Sequence, residues 1–174
     1  MPTEVWTVGH STRTIEDFIG LLRAYGIEAV VDVRTVPRSR RNLQFNRDEL
    51  ERALPQAGID YIYAEGLGGL RKARKDSPNT GWRNASFRGY ADYMQTGEFE
   101  DALRRLIELA AHERTAIMCA EVLPWRCHRS LIADALLIRG FEIVEIFDER
   151  KSRPHKLTSF AVVQDGRITY VPPD

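Results

Sequence analysis

The sequence predicts an α/β domain: an open, mostly parallel sheet with helices on both faces and a C-terminal β-hairpin. Three observations lead there. Short apolar, β-branched runs alternate with segments whose apolar residues recur at helical spacing. Glycines close most of those segments. Near the C-terminus, two apolar runs flank Asp165-Gly166, a strong hairpin signal.

In chain order, Val5-Trp6-Thr7-Val8 reads as a strand closed by Gly9. Thr14, with Asp17 three residues on, opens a helix carrying Ile15, Phe18, Ile19, Leu22 and Tyr25, and Gly26 stops it. Ala29-Val30-Val31-Asp32-Val33 is a buried strand, completing one β-α-β unit. Asn46 with Glu49 caps a second helix through Leu50, Ala53 and Leu54, which Gly58 ends before the strand Tyr61-Ile62-Tyr63. Phe99, Leu103, Leu106, Ile107 and Ala110 line a helix leading to the strand Ala116-Ile117-Met118-Cys119. A last helix carries Leu131, Ile132, Ala135 and Leu136, stops at Gly140, and feeds the strand Ile143-Val144-Glu145-Ile146-Phe147. The hairpin, 160–163 and 168–171, follows Pro154 and is expected as an antiparallel edge or a flap. Two connections, 34–45 and 64–86, are longer than a compact unit requires; both follow strands and so emerge at the carboxyl edge, where open sheets bind ligands.

Dividing 174 residues by the ~150 of a typical domain gives one domain, 1–174, with 154–174 as a hairpin appendage. No apolar run approaches the ~18 residues of a membrane helix, so no membrane role is expected. The N-terminal residues lack the basic and apolar regions of a signal peptide, and two cysteines are too few for a disulfide-framed secreted domain; the expected location is cytoplasmic. Lys+Arg and Asp+Glu are 25 each, so any attraction for an anion is local. It is found at Arg34-Thr35-Val36-Pro37-Arg38-Ser39-Arg40-Arg41 and again at Arg71, Lys72, Arg74 and Lys75 after Gly68-Gly69. Arginine forks and glycine backbone suit phosphate or carboxylate, and Tyr61, Tyr63, Trp82, Phe87 and Tyr90 offer stacking surfaces.

The densest reactive stretch lies between a predicted strand and a predicted helix: Cys119-Ala120-Glu121-Val122-Leu123-Pro124-Trp125-Arg126-Cys127-His128-Arg129. Pro124 suits a first helical turn, whose free N–H groups, with Arg126 and Arg129, favour an anion or thiolate. Two buried cysteines alone are ordinary packing; two cysteines beside Glu121, His128 and two arginines are chemistry. His10 and Ser11 follow the first strand, and Asp32 and Arg34 end the second, so in a parallel sheet they converge on the cysteine loop. His10 is a general base, a metal ligand or a polar strand cap. Asp32, in an apolar strand, needs a partner such as Arg34.

With those residues in place, the chain closely resembles, over nearly its whole length, the family known as domain of unknown function 488. The resemblance rests on Val8-Gly9-His10-Ser11, Asp32-Val33-Arg34 with Pro37 and Ser39, Leu67-Gly68-Gly69, Phe87-Arg88-Gly89-Tyr90, and Cys119-Ala120-Glu121 with Pro124 and Cys127-His128-Arg129. It implies a cytoplasmic α/β domain and no particular reaction. Leu70 stands where many members carry a basic residue, which moves that anion contact to Arg71. A looser likeness is to rhodaneses and cysteine phosphatases, in which a strand-end cysteine opens a loop of N–H donors closed by an arginine. Here Arg126 follows Cys119 after six residues rather than five, and Glu121 puts a negative charge in the cradle. That counts against phosphomonoester hydrolysis more than against sulfur transfer.

Three functions are therefore expected in order. The first is a cysteine-dependent enzyme for sulfur or group transfer, or hydrolysis, on a small or nucleotide-like anion. Cys119 or Cys127 is the nucleophile, His128 or His10 the base and Glu121 the proton carrier; Ser11, Asp32, Arg34, Arg38, Ser39, Gly68, Gly69, Tyr90 and Arg129 face the substrate. The second is a non-catalytic module for nucleic acid or a phospho-ligand. The third is a metal-dependent enzyme using the Cys/His/Glu cluster, although Cys-x7-Cys-His is not a standard zinc spacing. No cofactor signature is present: Gly66-Leu67-Gly68-Gly69-Leu70 lacks the dinucleotide fingerprint, and no Walker loop occurs.

Overall fold

Alternation of strand and helix patterns produces five parallel strands, with residues 4–172 described in a computed structural model. In chain order they are β1 (Glu4–Gly9), α1 (Ile15–Ala24), β2 (Ala29–Asp32), α2 (Arg47–Gln56), β3 (Asp60–Tyr63), α3 (Ala85–Tyr93), α4 (Gly97–His112), β4 (Thr115–Cys119), α5 (Arg129–Leu137) and β5 (Glu142–Ile146). β6 (Ser152–Pro154) pairs antiparallel with β5, giving the order β3-β2-β4-β1-β5-β6. The hairpin β7 (Ala161–Gln164) and β8 (Arg167–Tyr170) turns at Asp165-Gly166. Both turn residues have positive φ, 53° and 75°, as a tight two-residue hairpin turn requires.

The period of two along each strand separates two cores. Trp6, Val8, Val30, Ala116 and Met118 face α1 and α2 through Phe18, Leu22, Leu50 and Leu54. Val5, Val31, Ile117 and Cys119 face the other way, against α3, α4 and α5 through Tyr90, Phe99, Leu103, Leu131 and Leu136. The sheet is thus covered on both faces, as a parallel sheet must be. No helix among the described residues is long and apolar enough to cross a membrane.

Three expectations change. The hairpin is not the edge of the main sheet; it forms a sheet of its own, and the short strand β6 supplies the antiparallel edge. Thr14 caps α1 as expected, accepting the Asp17 N–H at 3.1 Å, but the Asn46 side chain does not cap α2. Its Oδ1 instead accepts the Ser39 N–H at 2.7 Å, which ties the arginine loop to that helix. The connection 64–86 delivers the unexpected helix α3, capped by Asn84 through the N–H groups of Ser86 and Phe87. Gly89 interrupts its pattern because a Cβ there would lie 1.9 Å from the Arg71 carbonyl oxygen.

Candidate active site

Parallel strands end together, so β1, β2 and β4 deliver their last residues to one edge. Past the paired ends Gly9 and Cys119, the ladder continues: His10 N–H donates to the Cys119 carbonyl at 2.8 Å and Ser11 N–H to that of Ala120 at 3.0 Å. Gly9 is required by this junction, because a Cβ would stand 2.0 Å from the Glu121 carbonyl oxygen. Between this edge, the arginine loop and the Gly69 corner lies a cavity of about 630 Å³. His10, Cys119, Glu121, Cys127 and His128, the five expected catalytic residues, all line it.

The centre is a buried ion pair in the making. Arg129, the first residue of α5, has 0% exposure and donates from Nη1 to Cys119 Sγ and to the Glu121 carbonyl, and from Nη2 to the Val122 carbonyl at 2.9 Å. Its Nε has no partner, and among the described residues no carboxylate pairs with it. A buried unpaired cation is destabilising by several kcal/mol, so the guanidinium favours an anion on the thiol that its Nη1 touches, Cys119. Burial opposes ionisation of that thiol. The donated Cys127 S–H and the Arg129 charge outweigh it and bring Cys119 down to about 7. Cys127 Sγ is 2.9 Å from Cys119 Sγ and also accepts the Arg129 backbone N–H at 3.4 Å. Its own ionisation is pushed well up, by the bond to Cys119, by burial and by the Cys119 charge. The two sulfurs are thus shifted in opposite directions, Cys119 towards ionisation and Cys127 away from it.

The helical turn expected at Pro124 is not the start of α5. A 3₁₀ turn, Pro124–Arg126, intervenes, and α5 begins after His128. That shift makes Arg129, not Arg126, the arginine on Cys119; Arg126 is exposed in the cavity wall.

The histidines are held neutral, with tautomers set by their neighbours. His128 Nε2 faces the carbonyls of Val33 at 2.8 Å and Leu67 at 3.1 Å, so it carries the proton and leaves Nδ1 as an acceptor 3.7 Å from Cys127 Sγ. Gly69 leaves that face open, since a Cβ there would lie 3.1 Å from Nδ1. His10 Nδ1 donates to the Ser11 carbonyl at 2.8 Å, and its Nε2 accepts from Arg34 Nη1 at 3.4 Å while the ring stacks on Phe45. Burial lowers each to about 4. Arg34 grips Asp32 through Nε at 2.9 Å and Nη2 at 2.7 Å, and Tyr61 OH donates to the same carboxylate at 2.5 Å. Asp32 therefore has the partner its apolar strand demanded.

Of the residues expected to face substrate, Ser11, Arg34, Arg38, Ser39 and Gly69 line the cavity. Asp32, Gly68, Tyr90 and Arg129 do not: Asp32 lies behind Arg34 and Arg129 behind Cys119, while Tyr90 OH is spent on the Leu67 carbonyl at 2.9 Å. Arg71 leaves the anion corner and lies over the Tyr93 ring at 3.7 Å. Leu70 is 75% exposed with φ +52°, and Ser11 has φ +54°. These two cavity-lining residues and the hairpin Asp165 are the non-glycine residues with left-handed backbone among those described. No three His, Cys, Asp or Glu side chains among the described residues are grouped to hold a metal ion. His10 Nε2 is turned to Arg34 and His128 Nε2 to carbonyls.

Sequence reading missed a second buried cluster on α5. Asp134, also 0% exposed, accepts from His155 Nε2 at 2.7 Å, Thr158 N–H at 3.2 Å, Thr158 Oγ1 at 2.7 Å and Tyr170 OH at 2.8 Å. His155 Nδ1 reaches Glu145 at 3.1 Å, and Arg153 Nε bonds the other Glu145 oxygen at 2.6 Å. Burial alone would lower His155; the two carboxylates overcome it and raise it to about 9. The available signal was Asp134 itself, a charge inside the apolar run 131–136.

Comparison with curated proteins and with solved structures finds no match. The family model described as "Domain of unknown function DUF488" matches residues 14–136, which carry Asp32, Arg34, both cysteines, His128 and Arg129, and on that match the chain belongs to this family.

Proposed function

We propose that the protein is a cysteine-dependent enzyme performing group transfer on a small, nucleotide-sized anionic substrate, with the Cys119 thiolate as nucleophile. The carrying observation is Arg129: a fully buried guanidinium whose Nη1 contacts Cys119 Sγ and for which no carboxylate partner exists among the described residues. Cys119 is 4% exposed and forms part of the cavity wall, so a substrate in the cavity meets the sulfur and not the arginine behind it. Arg34, Arg38 and Arg126 line the same space and favour an anion. Glu121 Oε1 accepts the Leu123 N–H at 3.1 Å, which fixes the carboxylate in the wall as a proton carrier. A reducing compartment such as the cytoplasm suits two free thiols.

The test is the pH dependence of iodoacetamide labelling in the wild type, Cys119→Ser and Cys127→Ser. Labelling with a midpoint near 7 that vanishes in Cys119→Ser supports the reading. A midpoint near the ordinary ~8.5, or no labelling of the folded protein, overturns it. A second reading, a binding module for nucleic acid or a phospho-ligand, is favoured by one observation: the aromatic ring of Phe87 lines the same cavity as Arg34, Arg38 and Arg126. Salt-dependent affinity for single-stranded oligonucleotides without Cys119 reactivity selects it.

A further inference from the structure

The contact between the two sulfurs restricts which group Cys119 transfers. In acyl or phosphoryl transfer a second thiol touching the nucleophile has no role except to compete with water for the intermediate. It has a definite role when the reaction leaves Cys119 as an oxidised sulfur. Resting on the thiolate reading above, we propose that this site reduces hydroperoxides, with Cys119 as the peroxide-attacking sulfur and Cys127 as the resolving one.

The Cys119 thiolate attacks the terminal oxygen of R–O–OH. An S–O bond forms, the O–O bond breaks, and RO⁻ leaves to take a proton from water in the cavity; Cys119 becomes the sulfenic acid and the peroxide is reduced by two electrons. Cys127 Sγ, already 2.9 Å away, then attacks Cys119 Sγ. The S–S bond forms, the S–O bond breaks, and the departing hydroxide takes the Cys127 proton to leave as water. His128 Nδ1, 3.7 Å from Cys127 Sγ and unable to turn because Nε2 is committed to two carbonyls, is placed to relay that proton. Cys119 lies at the cavity wall with only 4% exposure, which admits the small terminal oxygen of a peroxide more readily than a bulky electrophile.

Arg129 then makes the disulfide temporary. Once Cys119 is neutral, the buried guanidinium has lost its anion, and reduction by an external thiol restores it. The disulfide is therefore a turnover intermediate and not a structural staple.

The full reduced chain is treated with hydrogen peroxide and weighed by mass spectrometry, with glutathione added afterwards. The wild type is expected to lose two hydrogens with both thiols blocked, to give no dimedone adduct, and to recover both thiols in excess glutathione. Cys127→Ser is expected to give a dimedone adduct on Cys119, and Arg129→Met a disulfide that resists glutathione more than the wild type does. If the wild type instead accumulates Cys119 sulfinate or dimedone adduct in place of the disulfide, the resolving role is overturned. Neutral-pH iodoacetamide labelling of the reduced sample, taken before peroxide is added, shows whether the thiolate reading survives. Because the decisive mass is that of the wild type, misfolding of a variant does not protect the proposal.

Discussion

Helix α5 buries two charges completely, and they are treated in opposite ways. Asp134 is saturated: a charged imidazole, two hydroxyls and an N–H meet its oxygens. Arg129 meets two carbonyls and a sulfur, leaves Nε without a partner, and has no carboxylate among the described residues. Saturation gives rigidity and little else, since every lone pair is committed. On the proposed function the unbalanced cation is what makes the site reactive, because its electrostatic demand falls on a side chain that can ionise and that borders a cavity.

The sharpest way to break this contrast is to remove each charge in turn. Asp134→Ala leaves His155 charged, buried and short of its nearest acceptor, and a loss of about 3–5 kcal/mol in urea unfolding is expected, with the Cys119 labelling midpoint unmoved in protein that remains folded. A loss below about 1 kcal/mol would show that the cluster is ornamental. Arg129→Met is expected to act the other way round. Its destabilisation should be smaller, about 1–3 kcal/mol, because an apolar side chain of similar length fills the space while the carbonyls of Glu121 and Val122 lose donors. Cys119 labelling at pH 7 should fall about tenfold or more as the thiol returns towards its ordinary range. Unchanged labelling would mean that the thiolate does not depend on the arginine.

Titration separates the two regions without mutation. His155 is raised from 6.5 to about 9, so its stabilising contribution is complete below about 6.5 and is lost as the pH rises through about 9. Glu145 is lowered, since its bonds to His155 and Arg153 outweigh burial, so its contribution is present above 4.5 and lost as the pH falls through its folded value. The urea midpoint should decline on the alkaline side by an amount corresponding to about 2 kcal/mol, and His155→Gln should flatten that limb. An alkaline limb that persists in His155→Gln would assign it elsewhere. The smallest effect belongs to the cavity mouth. Arg38→Ala and Arg126→Ala are expected to stay within about 0.5 kcal/mol of wild type in stability. Both should weaken phosphate or nucleoside monophosphate binding several-fold by calorimetry; unchanged affinity in both would leave the mouth without an anion role.

Much of this was legible in the sequence because it depends on local pattern. Strand ends in a parallel sheet share an edge, so Gly9-His10, Asp32-Val33-Arg34 and Cys119 could be placed together from periodicity alone. The polar residue in an apolar strand, Asp32, announced its pairing with Arg34. What failed depended on three-dimensional register. Whether Cys127 or Arg129 begins a helix is a matter of two residues, and that difference decides which arginine reaches Cys119. The close approaches that require Gly9 and Gly89 involve backbone far away in the chain, and single-sequence patterns carry no record of them. Asp134 was visible by the same logic as Asp32, but its partners lie within the predicted appendage 154–174 and nothing local joins them.

The family match ends at residue 136, just after Asp134, whereas His155, Thr158 and Tyr170 all lie beyond it. The C-terminal segment thus behaves as a clasp whose keyhole, Asp134, lies inside the matched stretch and whose key lies after it. A relative that carries an acidic residue at this place on the helix must bring its own donors, from a similar tail or from another chain. One with an apolar residue there is free of that obligation and can vary or dispense with the tail. Position 134 and the tail therefore act as one unit in this chain, and a grafted tail without these donors fits only if the residue at 134 is replaced with it.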